Sequence, residues 1–273
     1  MEIGLLHAAA TCYLGATVAA LAGLVVGRDL PVRMLRWLLG GGLLLHVASI
    51  VLRASLVGAL PVAHFGEALS LLGALLVATF LLIQVRGPLL ALSAVVVPIA
   101  FGMTLAAAVV KGGAQPLPPA LRSVWLPVHV LLSFLGDAVF AIASSASVLY
   151  LVQERRLKRH RGRLIRGLPS LETLDRVSHT CLKWGLVLLT LGIVTGIVWA
   201  HEAWTQDAEW MSDPKLLFTA LVWGLYVVLL QGRITAGWRG RWAAQLTIAG
   251  FAVILVSLLS VNLLGLGLHG KAY

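Results

Sequence analysis

Eight runs of mostly apolar residues, each about twenty long, constrain this chain more than any motif in it. A helix of about 20 apolar residues crosses the hydrocarbon core of a bilayer. Within that core every backbone N–H and C=O must be bonded inside its own segment or barrel. Each run is therefore expected to be a membrane-spanning helix, at about 3–27, 37–57, 66–85, 89–110, 124–151, 179–200, 214–231 and 243–265. These spans use most of the 273 residues. The expected fold is all-α: a single integral domain over 1–273, a bundle of eight transmembrane helices with one block over 1–110 and a second over 124–273, and no soluble module attached. Composition agrees, since 59% hydrophobic and 12% charged residues exclude a soluble globular domain, which carries about 25% charged residues.

The cations are sorted by connection. Arg28, Arg33 and Arg36 lie in the first, Arg86 in the third, the run QERRLKRHRGRLIRG with Arg176 and Lys183 behind it in the fifth, and Arg233, Arg239 and Arg241 in the seventh. The other side has only Arg53, Lys111, Arg122, Lys215 and Lys271. The positive-inside rule puts the odd-numbered connections in the cytoplasm, and an even number of spans then leaves both termini outside. The net charge of +10 is thus a record of topology, and a nucleic-acid partner is excluded as its cause. The segment Glu154–Arg166 reads as a topological anchor, solvated or resting on anionic headgroups of the lipid bilayer; a docking surface for a cytoplasmic partner is the alternative. The outer connection KGGAQPLPPALRSVW is too rich in Gly and Pro for regular structure. The N-terminal run has no basic region before it and is long enough to span, so it is kept as a helix rather than a signal peptide. Cys12 and Cys181 are the only cysteines, without CxxC or CxxCH spacing. Neither thiol exchange nor covalent heme attachment to this chain is indicated, and the topology sets the two thiols near opposite faces.

Between the sixth and seventh spans runs WAHEAWTQDAEWMSDPK, Trp199 to Lys215. Trp199, Trp204 and Trp210 have two readings: interfacial anchors, or the lip of a site for a flat, greasy, anionic molecule. Histidines bear on the choice. His7, His64, His129, His201 and His269 fall at or near the expected outer face, with His129 one turn inside the fifth span and His269 just past the eighth. A lone interfacial histidine is usually solvated or hydrogen-bonded. Two neutral imidazoles can hold a heme iron from both sides while indole rings wall the porphyrin, and Gly265, Gly267 and Gly270 would let the last segment bend over such a ligand. Arg53, Arg122 and Lys215 would meet the heme propionates; snorkelling explains each of them equally well. Inside the membrane Asp137 lies eight residues, about 12 Å, deeper than His129, and His46 lies seven residues inward from Arg53. Intramembrane polar groups are functional candidates by default, so His46 and Asp137 are expected to hydrogen-bond or to line an inner ligand position. The alternative is a structural polar pair.

The segments VWLPVHV, LGIVTGIVWAHEAW followed by DPK, and GFAVILVSLLSVNLLGLGLHG carry a resemblance. The chain resembles the CcsA/CcmC-type cytochrome c assembly proteins, membrane heme handlers with a tryptophan-rich "WWD" loop between two external histidines. The likeness covers nearly the whole chain; the second and third spans fit more weakly, through Arg53, Gly58, Pro61 and Glu67. It implies His129 and His269 as axial ligands of a non-covalent heme b, and Trp199, Trp204, Trp210, Asp213 and Pro214 as the heme-holding loop. There are departures. The family's WGxYWxWDPKE becomes WTQDAEWMSDPKL, with Leu216 in place of an acidic residue. Gln231 stands beside Gly232 and Arg233 where the assembly proteins tend to carry a histidine just before an arginine, and glutamine is a poor iron ligand. A thinned loop of this kind also resembles the HemX-type branch, associated with control of glutamyl-tRNA reductase.

The expected protein sits in the bacterial inner membrane, binds heme at the outer face, and takes it through or out of the membrane for attachment to apocytochrome c; its partner is apocytochrome c or a CcsB-like subunit, and the sequence does not say whether a partner subunit completes the pathway. No side-chain nucleophile is required, since thioether formation uses the heme vinyls and the acceptor's thiols. Two other readings compete. A regulator of heme synthesis would bind glutamyl-tRNA reductase through the basic fifth connection. A transporter of another small molecule would line its path with His46, Asp137 and Arg53. A lipid-modifying enzyme is disfavoured, because no loop holds paired carboxylates or metal-spaced histidines.

Overall fold

The computed structural model describes residues 1–26, 32–86, 90–110, 123–159, 168–203 and 214–263. These form eight helices: α1 (Glu2–Val26), α2 (Val32–Val57), α3 (Phe65–Arg86), α4 (Leu90–Val109), α5 (Trp125–Arg159), α6 (Leu171–Ala203), α7 (Pro214–Thr235) and α8 (Arg241–Leu263). Each is long and apolar enough to cross a membrane, as the apolar runs require.

Two helices outrun their apolar segments. α5 continues beyond the expected end near residue 151 to Arg159, because QERRLKR is made of good helix formers and Lys158 pairs with Glu154 one turn back at 2.9 Å. α6 starts at Leu171, about eight residues earlier than the apolar run. Ser170 caps it, its Oγ accepting the Thr173 N–H at 3.2 Å, and Glu172 pairs with Arg176 on the exposed first turns. Hydropathy marks where a helix enters lipid, and local capping chemistry marks where it ends.

The two long helices pack antiparallel in one register. Ser123 meets Glu202, Gly136 meets Leu189, and Ser147 meets Ser178. Small residues make the approach close: a Cβ on Gly136 would lie 3.3 Å from the Leu189 backbone nitrogen, and one on Gly185 would lie 2.6 Å from the Phe140 ring. Such small-residue packing is the usual way membrane helices gain contact, since lipid tails supply no hydrophobic drive between them. α5 also packs on α3, α4 and α8, which makes it the shared wall between α1–α4 and α6–α8. Phe140 stacks on Tyr226 of α7 at 4.1 Å between centroids, and the Tyr226 hydroxyl donates to the Thr247 carbonyl of α8. Cys12 and Cys181 are free thiols.

At the end of α2 the Gly58 N–H bonds the Ala54 carbonyl at 2.8 Å, and Gly58 turns the chain at φ 75°. That left-handed conformation costs an L-residue about 1–2 kcal/mol. The turn carries Val62 back over α5 and α6.

Candidate functional site

His129 lies on the second turn of α5, just past the Ser123 cap that accepts the Trp125 N–H. Its Nδ1 is 2.8 Å from the Gly192 carbonyl of α6. A carbonyl only accepts, so Nδ1 carries the proton and Nε2 carries the lone pair. This is the tautomer in which a histidine can ligate a metal, with the second nitrogen anchored to backbone. Trp199 stacks on the imidazole, with centroids 5.9 Å apart and planes 16° from parallel.

Trp199 belongs to the last helical part of α6, not to a loop. It is 3% exposed and packs with Val62, Leu71 and Leu126. Its neighbours are thus one turn of the α2–α3 connection, the top of α3 and the first turn of α5. Burial of this kind makes Trp199 a floor for His129, whereas the sequence reading treats it as one of three equivalent loop tryptophans.

Arg53 is engaged by acids. Its Nε donates to Glu67 Oε1 at 2.8 Å and its Nη1 to Glu2 Oε1 at 3.1 Å, with all three side chains less than a fifth exposed. Glu67 serves twice, since its Oε2 accepts the Ala63 and His64 N–H groups at 3.0 and 3.2 Å and so caps α3. One guanidinium therefore ties together the start of α1, the end of α2 and the start of α3. A heme propionate at Arg53 would be the third carboxylate at a cation that already faces Glu2 and Glu67.

His46 and Asp137 do not pair. The His46 ring is fully buried and its nitrogens face Ser70 Oγ at 2.9 Å and the Tyr13 hydroxyl at 3.5 Å, which joins α1, α2 and α3. Asp137 is half-buried on α5, and Lys215 stands in the first turn of α7 after Pro214. Since residues four apart share a helix face, His129, Ser133 and Asp137 make one polar stripe on α5. Arg122, Trp204, Trp210, Asp213 and His269 lie outside the described residues.

The family model described as cytochrome c assembly protein matches residues 37–269. This chain belongs to the cytochrome c assembly family. Among its relatives, the cytochrome c biogenesis protein CcsA of Synechococcus sp. (strain CC9605) is 32% identical over 266 residues, covering 88% of this chain and 87% of the relative. The CcsA proteins of Guillardia theta and Prochlorococcus marinus (strain MIT 9312) are 37% and 38% identical over 176 and 177 residues, 59% and 58% of this chain and 58% and 57% of those relatives. With eight apolar helices, this member of the family is a multi-pass membrane protein. The matched range contains His129, Trp199 and His269. Glu2, half of the Arg53 arrangement, falls outside it.

At the opposite end of the bundle, this family member presents Gln231 exposed and Arg233 buried. Arg233 Nη1 bonds Asp175 of α6 at 3.1 Å, and His179 follows Asp175 by one turn. Further along α5, Val152, Arg155, Arg156 and Arg159 line a cavity of about 390 Å³. Sequence reasoning missed two sets of partners: Glu2 and Glu67 around Arg53, and the Gly192 carbonyl against His129. Glu67 had a readable signal, three residues after His64 in the spacing of a reciprocal cap. A backbone acceptor such as Gly192 has none.

Proposed function

We propose that this protein binds heme at the end of the bundle where His129 meets Trp199, and presents it for attachment to apocytochrome c. The observation that carries the reading is the His129 ring itself, anchored through Nδ1 on the Gly192 carbonyl and laid flat on Trp199, so that Nε2 is the nitrogen with ligand chemistry. Membership of the cytochrome c assembly family supports the same role. The residues fit the group: a neutral imidazole of defined tautomer suits heme iron, and a buried indole supports that imidazole from below.

In this reading heme is cargo, and its vinyl groups supply the carbons to which the acceptor's thiols add. The chain binds and orients. His129 gives one axial ligand and His269 the other; Trp204, Trp210, Asp213 and Pro214 border the ring; Arg122 and Lys215 meet the propionates. The site faces outward from a bacterial inner membrane, and a CcsB-like subunit is the partner. At the inner position where assembly proteins tend to carry a histidine this chain has Gln231, and glutamine is a poor iron ligand.

The test is an absorption spectrum of the purified protein with added hemin, wild type beside His129→Ala and His269→Ala. A Soret band that shifts in each variant and returns with imidazole supports the reading. A wild type that takes up no hemin overturns it. Deletion then separates the roles: loss of cytochrome c with normal porphyrin supports delivery, and raised porphyrin with intact cytochrome c supports control of heme synthesis instead.

A further inference from the structure

We propose that Gly196 is a positioning residue for His129, a notch in α6 that holds the imidazole in one rotamer and one tautomer. The inference rests on the reading of His129 as an iron ligand. An ideal Cβ on Gly196 would lie 2.7 Å from His129 Cε1, 2.7 Å from Nδ1 and 3.5 Å from Nε2. The ring edge that fills the notch is thus the Nδ1–Cε1 edge, and any side chain larger than hydrogen would displace it. Nε2, at 3.5 Å, is the farther of the two ring nitrogens from the notch.

Gly192 makes the notch effective. A Cβ there would meet Ser133 Oγ at 2.6 Å, so glycine lets α5 settle deeply enough for Nδ1 to reach the Gly192 carbonyl at 2.8 Å. That carbonyl also accepts the Thr195 hydroxyl at 3.0 Å. Gly192, Gly196 and Trp199 are spaced four and three apart, so they share one face of α6. One glycine supplies the acceptor, the next supplies room, and the indole closes the third side. A backbone acceptor fixes the tautomer only while the ring stays against it, and the notch is what keeps it there. Partners that orient a metal-bound histidine are typically worth about 10–100-fold in metal affinity.

The experiment uses full-length protein in lipid nanodiscs, hemin as the probe, and ¹⁵N spectra of the imidazoles. Gly196→Ala is compared with Gly185→Ala, which crowds the Phe140 ring of the same helix pair to the same degree, 2.6 Å, away from the site. Gly196→Ala is expected to weaken hemin binding about tenfold, to shift the spectrum from low-spin toward high-spin, and to abolish the single Nδ1–H tautomer of His129; Gly185→Ala leaves all three as in wild type. The inference is overturned if Gly196→Ala keeps the tautomer and the affinity, or if Gly185→Ala changes them equally. If wild type takes up no hemin, the heme reading fails, and the tautomer comparison by itself still decides the notch. Should Gly196→Ala not fold, His129→Ala with and without Gly196→Ala replaces it, because the clash is then gone. Imidazole rescue needing about tenfold more imidazole in the double variant supports the notch, and equal rescue overturns it.

Discussion

Replacing Arg53 with leucine removes the one cation from a cluster in which it is bonded at 2.8 Å to Glu67 and at 3.1 Å to Glu2. The side chains involved are 11–18% exposed, so the two carboxylates left behind are poorly hydrated and repel each other. Removing one partner of a buried pair costs about 3–5 kcal/mol. Glu67 retains its two backbone N–H donors, which offsets part of that, and a loss of about 3 kcal/mol is expected. Glu67→Gln keeps an oxygen for the cap and should cost about 1–2 kcal/mol. Glu2→Gln should cost less, because α1 is also held by Ser49 Oγ donating to the Glu2 carbonyl. The assay is equilibrium unfolding in mixed SDS micelles, run as a double-mutant cycle over Arg53 and Glu67, with hemin affinity measured on the same samples. Coupling between the two sites with hemin affinity unchanged is the expected result. If Arg53→Leu unfolds like wild type yet loses hemin, the ion-pair account is refuted and Arg53 returns to the propionates.

Trp199→Ala should cost about 3–5 kcal/mol, since the indole is almost fully buried among Val62, Leu71 and Leu126, and should also perturb the hemin spectrum by freeing the His129 ring. The same micelle titration checks it, and a loss below about 1 kcal/mol would show that the ring is not a core element. His46→Leu strands the Ser70 and Tyr13 hydroxyls that now face the imidazole, an expected cost of about 1–3 kcal/mol, with an unchanged hemin spectrum. A spectral change in that variant would instead assign His46 to a ligand position.

What could be read in advance follows from the kind of physics involved. Apolar runs long enough to span a bilayer report a one-dimensional property, and the eight helices follow from it directly. Polar helix extensions do not, which is why α5 and α6 are longer than their hydrophobic cores. His129 and Trp199 are visible as residue types near one end of the bundle. That they touch depends on how closely α6 approaches α5 at Gly192 and Gly196, residues without side chains to advertise a partner. The propionate role expected of Arg53 comes from charge and depth alone, and neither signals its ion pairs. Its partner Glu2 is 51 residues away in sequence, and no periodicity connects the two. His46 and Asp137 do not meet: His46 faces Ser70 and Tyr13, and residue type and span position in the sequence do not say which helix faces which.

α5 has 35 residues and no proline after Pro127. From His129 to Arg159 it makes one continuous rod of roughly 45 Å at 1.5 Å per residue, longer than the hydrocarbon it traverses. A continuous helix resists bending and twisting along its length. The ring at one end of the bundle and the arginines at the other are thus carried by a single rigid element, and the interlock with α6 that seats His129 also fixes where Arg155, Arg156 and Arg159 stand.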